Sequence, residues 1–349
     1  MLDIYAGETA LNTVNEKGFE QEIFTSFLGA SGGPKWFTLF SLDKYIFGEF
    51  FKERKTELNL IGSSAGAFRA ACFAQKDPVA AITKLAESYS ETVYSDNAKP
   101  EEITSKAIEL LDYVLGDNGV EEIINNKIIK SHFLVNKTNG FVGSENKVTQ
   151  SLGLIKSILL NRVDRNLLRK QYERFVFKSP LSDLIIDDYC NFKTEYIDLT
   201  QNNLRDALLA SGSIPMVMQG IKDISGAPKG MYRDGGIVDY HFDFKLKNNE
   251  GLILYPHFNS QPKAGWFDKS LKRKVLPKNY DNIVMIVPSP KFIESLPYSK
   301  IPDRTDFTKM DSNQRIKYWK IVLSETEKLS DYFNEVLDKK HSQNIRLIK

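Results

Sequence analysis

Hydrophobic and polar positions fall into two kinds of block along the chain. Ile23–Leu28 is a short apolar run that stops at GASGGPKW (residues 29–36), and a run bounded this way predicts a buried strand. Pro34 suits the first turn of a helix. Phe37, Phe40, Leu42, Tyr45, Ile46 and Phe50 continue it at helical spacing. A second short run, Glu57–Ile61, leads through GSSAG into Ala65–Gln75, a helix of small residues. Strand, turn and helix twice within about 55 residues predict parallel strands joined by crossover helices.

From Asp77 to about Arg174 the pattern reads as helical, with no clear strand. Pro100, Glu101 and Glu102 open one helix and Gly116 closes it. Val148–Tyr172 predicts a longer one, with Leu152, Ile155, Ile158, Leu159, Val163 and Leu167 near helical spacing. Strands resume at Phe175–Phe177 and Lys193–Leu199. A helix at Leu204–Ala210 ends at Gly212, and Lys229–Arg233, Leu252–His257 and Asn282–Val287 are further strands. Asp311 with Gln314 predicts a capped last helix, its apolar side formed by Ile316, Trp319, Leu323, Leu329, Phe333 and Val336. The alternation predicts an α/β sandwich in one domain across residues 1–349. Within it, 77–174 reads as a helical insertion or cap, and 241–349 as a C-terminal part without a motif.

Composition narrows the chemistry. Lys+Arg 47 against Asp+Glu 45 gives a net charge of +2, which argues against a dedicated nucleic-acid binder. Cys72 and Cys190 are too few for a disulfide framework. His132, His241, His257 and His341 show no metal spacing, so neither metal nor cofactor is expected. MLDIYAGETA has no basic region before an apolar run, and Ala207–Ile221, the longest uncharged apolar-rich stretch, is too short to span a bilayer. The expected location is cytoplasmic or peripheral to a membrane. Oligomeric state is left open.

Three motifs carry chemistry. Gly62-Ser63-Ser64-Ala65-Gly66 is a GxSxG sequence between a predicted strand and a predicted helix. That context makes a sharp turn which exposes the central Ser64 hydroxyl as a nucleophile, with the helix N-terminus beside it and the Ala65 N–H placed for an oxyanion. Gly62 and Gly66 let strand and helix approach closely. The plain alternative is an ordinary turn rich in small residues. Gly29-Ala30-Ser31-Gly32-Gly33-Pro34-Lys35 is a glycine turn at a helix start, able to present the Gly32 and Gly33 amides to an anion. It is not a phosphate-binding P-loop, because Trp36 stands where Ser or Thr is needed. Asp234-Gly235-Gly236 lets an aspartate point at a neighbour while the backbone turns tightly, although by itself it reads as a hairpin turn.

In this order, GASGGPKW, GSSAG and DGG resemble the patatin-like phospholipase family of lipid acyl hydrolases. LRDALLASGSIPMVM (residues 204–218) resembles the family segment that precedes DGG. The resemblance runs from about Gly29 to Tyr240. It implies a three-layer α/β/α sandwich, a mainly parallel sheet and hydrolysis of a lipid acyl ester. It further implies a dyad of Ser64 as nucleophile and Asp234 as its partner, with an oxyanion hole at Gly32 and Gly33. Lys35 falls where the family carries a basic residue. Ser31 replaces the first glycine of the family's run, and Trp36 replaces a small residue.

Two other readings fit the same residues. A Ser64–Asp234–His257 triad of the α/β-hydrolase kind fits the chain order, with His241 a second imidazole near DGG. A non-catalytic lipid-binding protein would need only the fold. For membrane contact, Lys263–Lys278 interleaves basic residues with Trp266, Phe267, Leu271, Val275 and Leu276. The preferred reading there is a solvated loop whose aromatics pack inward. Val148–Tyr172 could form a lid, and plain core packing is again the preferred reading.

Overall fold

The computed structural model describes residues 1–338 and 345–348; His341 lies outside the described residues. Its strands are β1 (Leu2–Ala6), β2 (Phe24–Gly29), β3 (Leu58–Ser63), β4 (Ile129–Thr138), β5 (Tyr172–Lys178), β6 (Ile185–Asp187), β7 (Thr194–Asp198), β8 (Ile221–Lys222), β9 (Met231–Asp234), β10 (Lys245–Lys247), β11 (Leu252–Pro256), β12 (Ile283–Pro288) and β13 (Ile345–Leu347). The α-helices are α1 (Glu8–Lys17), α2 (Phe40–Tyr45), α3 (Ala65–Phe73), α4 (Pro78–Glu91), α5 (Pro100–Leu115), α6 (Gly119–Asn125), α7 (Lys147–Val163), α8 (Leu204–Gly212), α9 (Pro290–Ser295), α10 (Asp306–Lys309), α11 (Ser312–Glu325) and α12 (Glu327–Asp338).

The central sheet runs β13-β1-β12-β11-β2-β3-β4-β5-β7, with β9 on β4 and β8 on β9. From β12 through β4 every pairing is parallel. These strands are buried on both faces, which is why Leu252–Pro256 reads as a continuous apolar run rather than an alternating one and Leu58–Ser63 is buried at every position but Asn59. On one face, α2 to α5, α8, α11 and α12 bury a core that includes Phe27, Phe37, Phe47, Leu60, Phe73, Leu208 and Trp319. The other face is covered by the chain between 238 and 280, with short helical turns at Trp266–Asp268 and Pro277–Asn279, around Leu28, Ile61, Tyr255 and Met285. Helices thus flank a mostly parallel sheet in the predicted three-layer α/β/α arrangement, with the second layer poorer in helix.

The helix predicted from Pro34 is one apolar ridge in three forms: a 3-10 turn Gly33–Leu39, α2, and a π turn Ile46–Phe50. Asp43 on α2 makes a bidentate ion pair with Arg69 on α3, at 2.6 and 2.8 Å, with both side chains fully buried. That pair fixes the helix that follows GSSAG against its neighbour.

Two predictions need correction. The stretch 77–174 is not helical throughout, because it contains β4, a ten-residue strand paired with β3, β5 and β9. Polar residues break its apolar pattern, yet Lys130, Ser131, His132, Asn136 and Thr138 are buried with partners. His132 bonds to Leu60 O and Ser182 Oγ, and Lys130 to Glu57 and Leu181 O. Second, α7 does not pack its apolar stripe into a core. Leu152, Ile155, Ile158, Leu159 and Val163 are exposed, while Gln150, Gly153, Ser157 and Asn161 face inward. In 263–278 the apolar residues do turn inward: Val275 is buried, and Trp266 and Phe267 are partly buried.

Candidate active site

β4 is the rail on which the site is assembled. β3 runs parallel to it and ends with Ser63 opposite Leu134. β9 runs antiparallel to it and ends with Asp234 opposite Val135. The two strands therefore meet end to end along one edge of β4, and the residues that terminate them become neighbours. Ser64 Oγ donates to Asp234 Oδ2 at 2.8 Å.

Each partner is held by further contacts. Ser64 has φ 54°, ψ −125°, a strained backbone of the kind that turns a side chain out of a strand-to-helix elbow at a cost of about 1–3 kcal/mol. Its N–H donates to Ser211 Oγ at 3.0 Å, and that hydroxyl donates to Leu134 O at 2.7 Å. Asp234 Oδ1 accepts from the Gly236 N–H at 2.7 Å, and the Asp234 N–H donates to Ser213 O at 3.1 Å. Asn136, on β4, donates to the carbonyls of Asp234 and Gly235. Ser31 Oγ donates to Ser63, tying the glycine loop to the elbow.

Four of the glycines sit where neighbouring atoms leave no room for a side chain. Gly66 is packed so tightly on Gly29 that a side chain there would overlap the Gly29 carbonyl, and a Cβ on Gly62 would run into α3. A Cβ on Gly235 would strike Leu134 O, and one on Gly236 would lie 2.5 Å from Ser31 Oγ. Gly33 has φ +55°, open to glycine at little cost. Among the described residues, no acceptor is bonded to the N–H of Gly32, Gly33 or Ala65.

Ser64, Asp234, Ser31, Gly32, Gly33 and Lys35 all line one cleft of about 250 Å³. Its outer wall is cationic. Lys35 pairs with Asp303, Arg304 stands next to it, and Lys269 lies over the Tyr240 ring at 4.0 Å. A smaller apolar cavity of about 110 Å³ shares Ser64 and Gly33 with the cleft and is walled by Trp36, Phe68, Leu85, Tyr94, Leu110 and Met218. A wider groove of about 960 Å³ between Glu49 and Ile129 includes neither Ser64 nor Asp234.

Burial sets the acidities. Loss of water raises the Asp234 pKa to about 6, even though the bonds from Ser64 and Gly236 and the charges of Arg304 and Lys269 pull it down. Lys269 is lowered to about 8, chiefly by desolvation and then by Arg304 and Lys35. Asp303 is held below the usual carboxylate range: its bonds from Lys35 and Thr305 outweigh its burial.

Among the described residues, no imidazole stands between Ser64 and Asp234. His257 Nδ1 is engaged with the Asn259 backbone, and burial lowers its pKa to about 3. His241 Nδ1 accepts from the Lys263 N–H, and burial, with His257 beside it, keeps it neutral. The two rings pack against each other rather than on the serine, so the Ser64–Asp234–His257 triad does not describe this site. Sequence reasoning missed Asn136, Ser211, Lys269, Asp303 and Arg304. Ser211 lay inside a segment already singled out, but its contacts with Leu134 and Ser64 depend on the fold and left no local signal.

With this geometry in view, the comparisons with known proteins are specific. Residues 58–241 match the family model described as patatin-like phospholipase, which is more than half of the chain. The chain belongs to the patatin-like phospholipase family. In fold it is similar to human GIVD cytosolic phospholipase A2, at 9% identity and a TM-score of 0.40, over 95% of this chain and 62% of that one. It is also similar to VipD from Legionella pneumophila, at 13% identity and a TM-score of 0.34, over 89% of this chain and 67% of that one. The chain thus spans less than two thirds of the length of the first of these. None of the curated proteins compared matches it in sequence. Among the described residues, no helix is long and apolar enough to cross a membrane.

Proposed function

We propose that the protein is a lipid acyl hydrolase that cleaves a carboxylic ester with a Ser64–Asp234 dyad. The observation that carries this is the 2.8 Å hydrogen bond from Ser64 Oγ to a buried carboxylate whose pKa, about 6, suits a base near neutral pH. Asp234 takes the hydroxyl proton as Ser64 Oγ bonds to the acyl carbon. The carbonyl electron pair moves onto oxygen, where the amides of Gly32, Gly33 and Ala65 stabilise it. The intermediate collapses, the ester C–O bond breaks, and Asp234 returns the proton to the leaving alcohol oxygen. Water then attacks the acyl-enzyme, giving its proton to Asp234, and the carboxylic acid leaves as Ser64 regains its proton.

The two arms of the cavity suggest the substrate. The apolar arm suits an acyl chain, and Lys269 and Arg304 suit an anionic group on the alcohol side, such as a phosphodiester. No cofactor enters this scheme. The experiment is hydrolysis of a panel of phospholipids, lysophospholipids and neutral esters by the wild-type and Ser64→Ala proteins. Anionic acyl esters should be cleaved by the wild type alone. No cleavage of any ester by folded protein would leave the lipid-binding reading.

A further inference from the structure

Helix α7 is amphipathic in the opposite sense to a helix on a protein surface. Its buried positions are Gln150, Gly153, Ser157 and Asn161. They are held by polar contacts: Gln150 to Ser144 O and the Met216 N–H, Ser157 to Tyr172 Oη, and Asn161 to Asp268 and Arg273. Its outward stripe is Val148, Leu152, Ile155, Leu159 and Val163, each between 52% and 78% exposed, with Ile158 alongside. Spacings of four, three, four and four residues put these five on one line down the helix. Phe141, 60% exposed on the turn that packs against α7, lies at the start of that segment. A contiguous apolar ridge of this kind marks an interaction site.

Two features identify what covers it. The exposed charges on α7 are Lys147, Lys156 and Arg162, with Asp164 the acid at its end and Glu145 before it paired with Arg233, and Arg273 ties α7 to the basic segment carrying exposed Lys272 and Lys274. A second copy would bring these like charges together, whereas an anionic lipid leaflet supplies their complement. The ridge also flanks the catalytic cleft, because α7 is bonded to Met216, next to the cleft residues Ile214 and Pro215, and packs on the turn containing Trp266, another cleft residue. We infer that the outward face of α7 lies in the interface of an anionic lipid bilayer and holds the mouth of the cleft against the leaflet. This rests on the lipid-ester reading of the cleft for its purpose, but not for its test.

Binding is measured by flotation of the full chain carrying Ser64→Ala, which keeps the lipid intact. The vesicles are phosphatidylcholine alone or phosphatidylcholine mixed with phosphatidylglycerol. Binding should be stronger to the anionic vesicles and should weaken with salt. Adding Leu152→Ser, Ile155→Ser and Leu159→Ser should lower affinity for anionic vesicles about 100-fold, from roughly half the burial value of each side chain. Lys156→Glu with Arg162→Glu should abolish the preference for anionic over neutral vesicles. Because the stripe is exposed, the serine variants should unfold at the wild-type midpoint, and with Ser64 restored they should cleave a short soluble ester at the wild-type rate. Unchanged vesicle binding by the triple variant would overturn the inference. So would absence of binding by the parent, or a parent dimer that the serine substitutions split, which would assign the ridge to a second copy. Failure of the hydrolase reading would appear separately, as absence of ester cleavage by protein that still binds vesicles.

Discussion

Replacing Asp234 by Asn removes the proton acceptor and keeps its shape, and burial makes the consequence for stability opposite to that for activity. The carboxyl is 6% exposed, and its pKa rises from 3.8 to about 6 on folding. The folded state therefore prefers the protonated form, and the wild type loses stability as pH climbs from about 4 through 6 and the buried group is forced to ionise. At about 1.4 kcal/mol per unit, the loss is about 3 kcal/mol once pH is well above 6. An asparagine carries no such cost. Its oxygen can still accept from Gly236, and its amide can donate to Ser64 Oγ where the carboxylate accepted. Asp234→Asn should thus match the wild type near pH 4 and exceed it by about 2–3 kcal/mol at pH 8, while ester hydrolysis falls nearly as far as in Ser64→Ala. Urea unfolding of both proteins across that range reads the difference directly. A stability difference that stays flat with pH, or an asparagine variant less stable at pH 8, would refute the reasoning.

Other outcomes follow from the same contacts. Wild-type kcat/KM should rise with pH to a plateau, with a midpoint near 6 where Asp234 ionises; an acid-side midpoint unaffected by substitution at Asp234 would contradict this. Gly33→Ala has room for its methyl group but not the right backbone, so turnover should drop at least tenfold with KM little changed and stability down by about 1–2 kcal/mol. Gly66→Ala should be far worse for folding, by about 3 kcal/mol or more, as thermal unfolding would show, because its methyl group overlaps the Gly29 carbonyl. Lys269→Gln should raise KM about ten- to a hundredfold for an anionic ester and leave a neutral one unchanged, the value expected for one lost charge-assisted bond.

Much of the α/β architecture was legible because buried parallel strands advertise themselves. Phe24–Gly29 and Leu58–Ser63 are short, largely buried runs that end in glycine or small residues, so strand, elbow and helix could be read in line. Ser64 and Asp234 were visible for the same reason: the turns that present them need glycines at fixed positions. β4 was hidden because Lys130, Ser131, His132 and Asn136 break its pattern. Burying a polar side chain depends on a partner elsewhere in the chain, and no local rule supplies that partner. Asn136, which holds the Asp234 and Gly235 carbonyls, was lost with it. α7 misled in the opposite direction, since periodicity locates an apolar face but not what it meets. Lys269, Arg304 and Asp303 reach the cleft through chain that has no motif, and only the fold brings them to Ser64.

Activation of Ser64 as a nucleophile is read by reaction of the native protein with a fluorophosphonate, followed by mass spectrometry of the digested peptides. A single adduct is expected on the peptide containing Ser64, absent from Ser64→Ala, strongly reduced in Asp234→Asn and retained in His257→Gln. An adduct on any other serine, equal labelling of Ser64→Ala, or no labelling of folded wild-type protein would contradict it.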